Sequence, residues 1–112
     1  MDSIKDVIIS GGENIYPAEL ELVLSGHPSV AEVAVIGIPD TRWGEVPLAI
    51  VVQKDGWAAT TSDILRFARE NVASFKMPKA IEFVSSLPRN ASGKILRRQL
   101  REPYWPQKSQ AF

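Results

Sequence analysis

Lys94 stands in the run Leu87-Pro88-Arg89-Asn90-Ala91-Ser92-Gly93-Lys94-Ile95-Leu96-Arg97-Arg98, where Arg89, Arg97 and Arg98 join it around a polar, glycine-containing turn. The run reads as a turn passing into a helix, and both turn N–H groups and a helix N-terminus suit oxyanions. A lysine carried there on a flexible stem can stabilise charge that develops during acyl or phosphoryl transfer. A second unusual segment, Ser10-Gly11-Gly12-Glu13-Asn14-Ile15-Tyr16-Pro17, lies near the other end. Its two glycines permit positive φ and let a ligand or backbone approach without a Cβ in the way. Taken alone, Gly-Gly is also a plain strand-to-helix turn, and a lone lysine is also a solvated surface charge. Together the two segments imply a domain that supplies parts to an active site completed elsewhere.

The elements that must position these residues can be read from hydrophobic patterning. Val7-Ile8-Ile9 is a short β-branched run ended by the glycine turn. Pro17 suits the first turn of a helix over 17–25 with Leu20, Val23 and Leu24 inward and Glu19 and Glu21 facing solvent. Gly26-His27-Pro28 stops it. Residues 30–38 and 46–53 are apolar runs joined by a turn-rich connection, which predicts an antiparallel pair. Pro47 cannot donate a ladder hydrogen bond, so an edge or a strand start is expected for it. Thr60 followed three residues later by Asp63 resembles a capping box and opens a helix to about residue 72, with Ile64, Leu65, Ala68 and Val72 inward. A basic loop over 74–79 precedes a strand over 81–84. Ser92 is expected to cap a last helix whose inner side is Ile95, Leu96 and Leu100; Pro103 and Pro106 stop it. The result is an α+β domain: a three-stranded, mainly antiparallel sheet packed by two or three helices, plus a short N-terminal β-ribbon.

Bulk properties narrow the function. A chain of 112 residues supports one compact domain, and an apolar fraction of 45% argues against disorder throughout. Lys plus Arg and Asp plus Glu number 13 each. This balance excludes a general nucleic-acid or membrane-surface binder, and the cations concentrated in 76–101 read as a local anion site. With no cysteine there is no disulfide, no thiolate metal site and no cysteine nucleophile. His27 is the single histidine and sits where a helix ends, a position that favours histidine for structural reasons. No metal site is expected. No stretch resembles a signal peptide or a membrane span, so a cytoplasmic location is expected.

Four stretches in order resemble the adenylate-forming superfamily of acyl- and aryl-CoA synthetases, firefly-type luciferases and peptide-synthetase adenylation domains. Lys5 to Glu21 is similar to its hinge and glycine turn. Pro39-Asp40-Thr41-Arg42-Trp43-Gly44-Glu45 is similar to its Pro-Asp-x-x-Trp-Gly-Glu stretch. Phe75-Lys76-Met77-Pro78-Lys79 and the run from Pro88 to Lys94 resemble the last two. The resemblance covers the family's small C-terminal lid domain, here 1–102 with a tail over 103–112, and not its large N-terminal domain, which holds the ATP and acyl pockets. It implies two half-reactions: a carboxylate attacks the α-phosphate of ATP, with Mg²⁺ present, to give an acyl-adenylate. A thiol, usually that of CoA, then attacks the adenylate and releases AMP. By resemblance Lys94 serves the first step and Lys5 is the hinge about which the domain swings. Gly11, Gly12 and Trp43 would line the pantetheine passage, while Phe75, Lys76 and Lys79 would meet the CoA nucleotide, none of these ligands being held tightly by this domain alone. Asp2-Ser3-Ile4 departs from the family's Asp-Arg before the hinge, and Met1 falls within that motif, as expected of an excised domain or a truncated gene product. Glu13-Asn14 resembles the fatty-acyl and aryl branches more than the acetate branch. The competing readings are a stand-alone module that binds a partner or a CoA-like ligand, and a peptide-synthetase fragment.

Overall fold

The computed structural model describes residues 7–72 and 76–105. Two long strands form its centre: β3 (Val30–Asp40) and β4 (Gly44–Gln53) pair antiparallel from Val30↔Gln53 to Asp40↔Gly44. A shorter strand, β5 (Ala80–Phe83), joins the far side of β4 in parallel, from Leu48↔Ala80 to Val51↔Phe83. The sheet order is therefore β3-β4-β5, one antiparallel and one parallel ladder. A separate ribbon pairs β1 (Ile8–Ser10) with β2 (Glu13–Ile15) across the glycine turn. The expected α+β class with three sheet strands and an N-terminal ribbon is what the chain adopts.

Period-two alternation gives the sheet two apolar faces. Val33, Val35, Ala49, Val51 and Ile81 face a cluster with Ile8, Ile15, Leu20, Leu24, Ile64 and Ala68. The last four come from helix α1 (Pro17–Leu24) and helix α2 (Thr61–Asn71). Leu20 and Leu24 are essentially inaccessible, each burial being worth about 1.5–3 kcal/mol. On the other face Ala34, Ile36, Leu48 and Ile50 pack with Leu87, and Ile95, Leu100 and Tyr104 lie against them. The capping box at Thr60 and Asp63 is present in both directions.

Three local expectations are corrected. Ser92 does not cap the last helix: α3 (Arg97–Arg101) starts five residues later with Leu96 as N-cap, and Ser92 lies in a hairpin turn closed by the Arg89↔Ile95 bridge. Asn90 takes over the turn instead, because its Oδ1 accepts the N–H groups of both Ser92 and Lys94. Pro47 sits neither at an edge nor at a strand start but within β4, the central strand. Its carbonyl accepts from Lys79 N just before β5 begins, so its missing N–H points past the end of that ladder. Glu21 does not face solvent. Both its carboxylate oxygens meet Arg97 Nη2 at 2.6 Å, and Oε2 also accepts from Val35 N.

Gly37 pairs with Pro47 and its polar groups point to the outer edge of β3, where Gly37 O accepts the Trp105 indole N–H at 2.8 Å. Glu21 and Trp105 thus occupy neighbouring positions on the outer edge of β3. Tyr104, which follows 102 in the 3₁₀ turn Glu102–Tyr104, donates to Glu82. The Glu21–Arg97 pair is largely buried. Breaking such a pair leaves an uncompensated charge, whereas replacing both partners with apolar residues often costs little. Arg97→Met is expected to lose about 3 kcal/mol in urea unfolding, with much of that recovered in Glu21→Leu/Arg97→Met.

Candidate functional site

The glycine turn is built against the β3–β4 turn. Gly11 adopts φ +56° and Gly12 φ +88°, values that disfavour any residue with a Cβ. Gly11 N donates to Trp43 O at 2.8 Å, and the Trp43 ring covers Gly11 so closely that a Cβ there would lie 2.4 Å from Trp43 Cε3. A Cβ on Gly12, by contrast, would meet nothing within 4 Å. Glu45 ties the ribbon to the sheet by accepting Ile9 N–H at 2.9 Å, and Gly37 leaves room for its carboxylate.

Asp40 organises the turn itself. Its Oδ1 accepts from Arg42 N at 2.8 Å and Trp43 N at 2.9 Å, while its Oδ2 meets Lys79 Nζ at 3.1 Å. The Trp43 N–H, then Lys79 and the Arg42 N–H, hold the Asp40 carboxyl below the ordinary carboxylate range. Arg42 lies over the Trp43 ring, 4.9 Å from its centroid. The outcome is an open cleft of about 410 Å³ lined by Gly11, Trp43, Lys79, Glu13, Met77 and Pro47, among others. That size suits a small ligand or a slender arm.

Of the residues picked from the sequence, Gly11, Trp43 and Lys79 come together in this cleft, and Gly12 stands beside it. Lys76 does not line it; its ammonium meets Glu19 at 3.0 Å. Lys5 and Phe75 lie outside the described residues. The sequence motif gives Asp40 and Glu45 no role of their own beyond membership of the stretch over 39–45. The signal for Asp40 was available: an aspartate opening Asp-Thr-Arg-Trp-Gly is a frequent acceptor for N–H groups two and three residues on.

Lys94 occupies a different place. Its side chain is exposed at the hairpin turn, and the turn is pinned by Arg89, which donates to Gly93 O and pairs with Glu32 at 2.6 Å. The expected anion-binding N–H groups are not on offer there, since those of Ser92, Gly93 and Lys94 all go to Asn90. What the turn presents is the Lys94 side chain. Glu32 and Asp40 are eight residues apart on β3, about 25 Å along the strand, and the two candidate regions adjoin them toward opposite ends of the hairpin. His27 has a structural place: its Nδ1 bonds Ser29, and Phe67 packs edge-on against it. Among the described residues no cluster of His, Asp or Glu could hold a metal ion, and no helix is long and apolar enough to cross a membrane.

The exposed Lys94 turn and the Gly11–Trp43 cleft are thus two separate features of one small domain, lying toward opposite ends of the β3–β4 hairpin. The chain belongs to the AMP-binding enzyme C-terminal domain family, whose model matches residues 19–94. It is 54% identical over 104 residues to the fatty acid–acyl-carrier-protein ligase ScoC of Streptomyces coeruleorubidus, covering 93% of this chain and 20% of that protein. It is 55% identical over 102 residues to a 2-succinylbenzoate–CoA ligase of Bacillus cereus, covering 91% of this chain and 21% of the relative. The chain therefore spans about a fifth of the length of the curated relatives it matches. Among solved structures, ATP-bound MatB from Rhodopseudomonas palustris superposes with a TM-score of 0.86 at 42% identity, over 89% of this chain and 20% of that one. A Mycobacterium tuberculosis fatty acyl CoA synthetase gives 0.83 at 50% identity, over 90% of this chain and 20% of that one.

Proposed function

We propose that residues 1–102 form the mobile lid of an ATP-dependent acyl-CoA synthetase, acting on a fatty or aryl carboxylate together with a large N-terminal domain that holds the ATP and acyl pockets. The observation that carries this reading is the separation of Lys94 from the Gly11–Trp43 cleft. No single pose of a rigid domain brings both to one reaction centre, so the lid must present them in turn, rotating about Lys5.

In the first pose Lys94 meets the negative charge that builds as the substrate carboxylate attacks the α-phosphate of ATP. Mg²⁺ accompanies the nucleotide and neutralises part of its phosphate charge. In the second pose the cleft faces the acyl-adenylate; Gly11 lets the Trp43 ring close down as a wall of the pantetheine passage, and Gly12 leaves the space beside it open. Phe75, Lys76 and Lys79 flank the nucleotide end of CoA, an aromatic face for adenine and ammonium groups for the 3′-phosphate. ATP, free CoA and a cysteine-free chain suit the cytoplasm.

A second reading concerns the acceptor. Lys76 and Lys79 already hold Glu19 and Asp40, and ScoC is by its name a ligase for acyl-carrier protein. A carrier-borne pantetheine would use the same passage without the 3′-phosphate. Thioester formation from supplied acyl-adenylate, in the enzyme carrying this chain, separates the two. CoA is expected to show about a tenfold lower KM than 3′-dephospho-CoA. Equal values would remove the nucleotide role of Lys76 and Lys79, and turnover with pantetheinylated carrier protein alone would establish the second reading.

A further inference from the structure

We infer that Asp40 is a positioning residue of the thiol-acceptor cleft, setting Trp43 through one carboxylate oxygen and Lys79 through the other. The inference rests on the reading of that cleft as the thiol passage. Two walls of the cleft come from segments far apart in sequence, the β3–β4 turn and the stretch before β5, and Asp40 joins them directly. Its Oδ1 gathers the N–H groups of Arg42 and Trp43. That fixes the backbone whose carbonyl holds Gly11 N and whose indole covers Gly11. Its Oδ2 draws Lys79 to 3.1 Å.

The two contacts differ in what they withstand. The Asp40 side chain is 11% exposed and Lys79 56%, so the ion pair is open to solvent and worth little on its own. The pair of N–H bonds, by contrast, ties the carboxylate to the backbone of its own turn and so governs geometry. Trp43 is itself 46% exposed, so packing alone leaves its ring room to move once the turn loosens.

This asymmetry gives a test that a purely structural role would not pass. In Asp40→Asn the amide oxygen can still accept from Arg42 and Trp43, while its NH₂ faces Lys79 and the ion pair is lost. In Asp40→Ala both are lost. With the enzyme that carries this chain, Asp40→Ala is expected to lower kcat/KM for the thiol by about a hundredfold, the scale of an ångström-sized misplacement near a reacting group. Asp40→Asn should lose only about two- to fivefold, as for an exposed ion pair. With 3′-dephospho-CoA as acceptor, which removes any phosphate contact of Lys79, Lys79→Met should match Asp40→Asn, with Asp40→Asn/Lys79→Met no worse than either alone.

Adenylate formation, followed by pyrophosphate release, should be the same in all of these variants. Equal damage to both half-reactions by Asp40→Asn, which keeps the turn, would overturn the inference, as would Asp40→Asn losing as much as Asp40→Ala. Trp43→Ala and Gly12→Leu serve as controls on the underlying reading. If they impair thiol transfer while Asp40→Ala does not, the positioning role alone is wrong. If they too are silent in an enzyme that still makes adenylate, the cleft is not the thiol passage, and the inference falls with it.

Discussion

Lys94→Ala, in the enzyme that carries this chain, is expected to slow adenylate formation by about 10²–10³-fold, while thioester formation from supplied acyl-adenylate continues at close to its normal rate. The asymmetry follows from placement. Lys94 is exposed on a turn in which the N–H groups of Ser92, Gly93 and Lys94 go to Asn90, so what that turn can bring to a phosphate is side-chain charge. Arg89 is committed to Gly93 O and Glu32 and is poorly placed to substitute. Lys94→Arg should recover little, because a planar fork does not reproduce a compact ammonium on a flexible stem. Stopped single-turnover measurements of each half-reaction provide the check. A variant that lost both steps equally would mean that Lys94 holds the fold or the hinge and not the charge of the first step.

Gly12→Leu should produce the reverse pattern: near-normal adenylation, with thiol transfer reduced by about a hundredfold or more. Gly12 is a cleaner probe than Gly11. A Cβ at Gly11 would strike the Trp43 ring, mixing obstruction with repacking, whereas at Gly12 the space within this domain is open. The cost inside the domain is then the left-handed backbone, of order 1–3 kcal/mol, which Gly12→Ala reports by itself. A melting temperature matched between Gly12→Ala and Gly12→Leu, with thiol transfer lost chiefly in the leucine variant, would identify the side chain as an obstruction in the pantetheine track. Normal thiol transfer in Gly12→Leu would remove the passage.

Local chemistry was legible in the sequence wherever a short window determines it. The β-branched runs around Val33 and Ile50 and the turn between them specified the β3–β4 hairpin. Thr60 and Asp63, three residues apart, announced the start of α2, and the alternation of inner residues was correct for Ile64 and Ala68. Gly11, Trp43 and Lys79 were singled out from separate stretches that the fold brings to one cleft. What escaped depends on distant partners. Glu21 reads as a solvated helix acid until Arg97, 76 residues later, arrives to pair with it. Pro47 reads as an edge residue because the start of β5, which falls one pair beyond it, is not written near Pro47. Ser92 and Asn90 are both good turn acceptors two positions apart, and only the pairing of Arg89 with Ile95 decides that Asn90 takes the N–H groups.

Two side chains seated on the outer edge of β3 bear on what that edge offers to other molecules. An outermost strand carries main-chain groups that its own sheet does not use. A bare row of amides there would invite strand addition from a neighbour and, at high concentration, fibrous assembly. With the Glu21 carboxylate seated on the Val35 N–H and the Trp105 indole on the Gly37 carbonyl, part of that flank is already occupied by the chain's own side chains, which shortens the stretch a foreign strand could pair with.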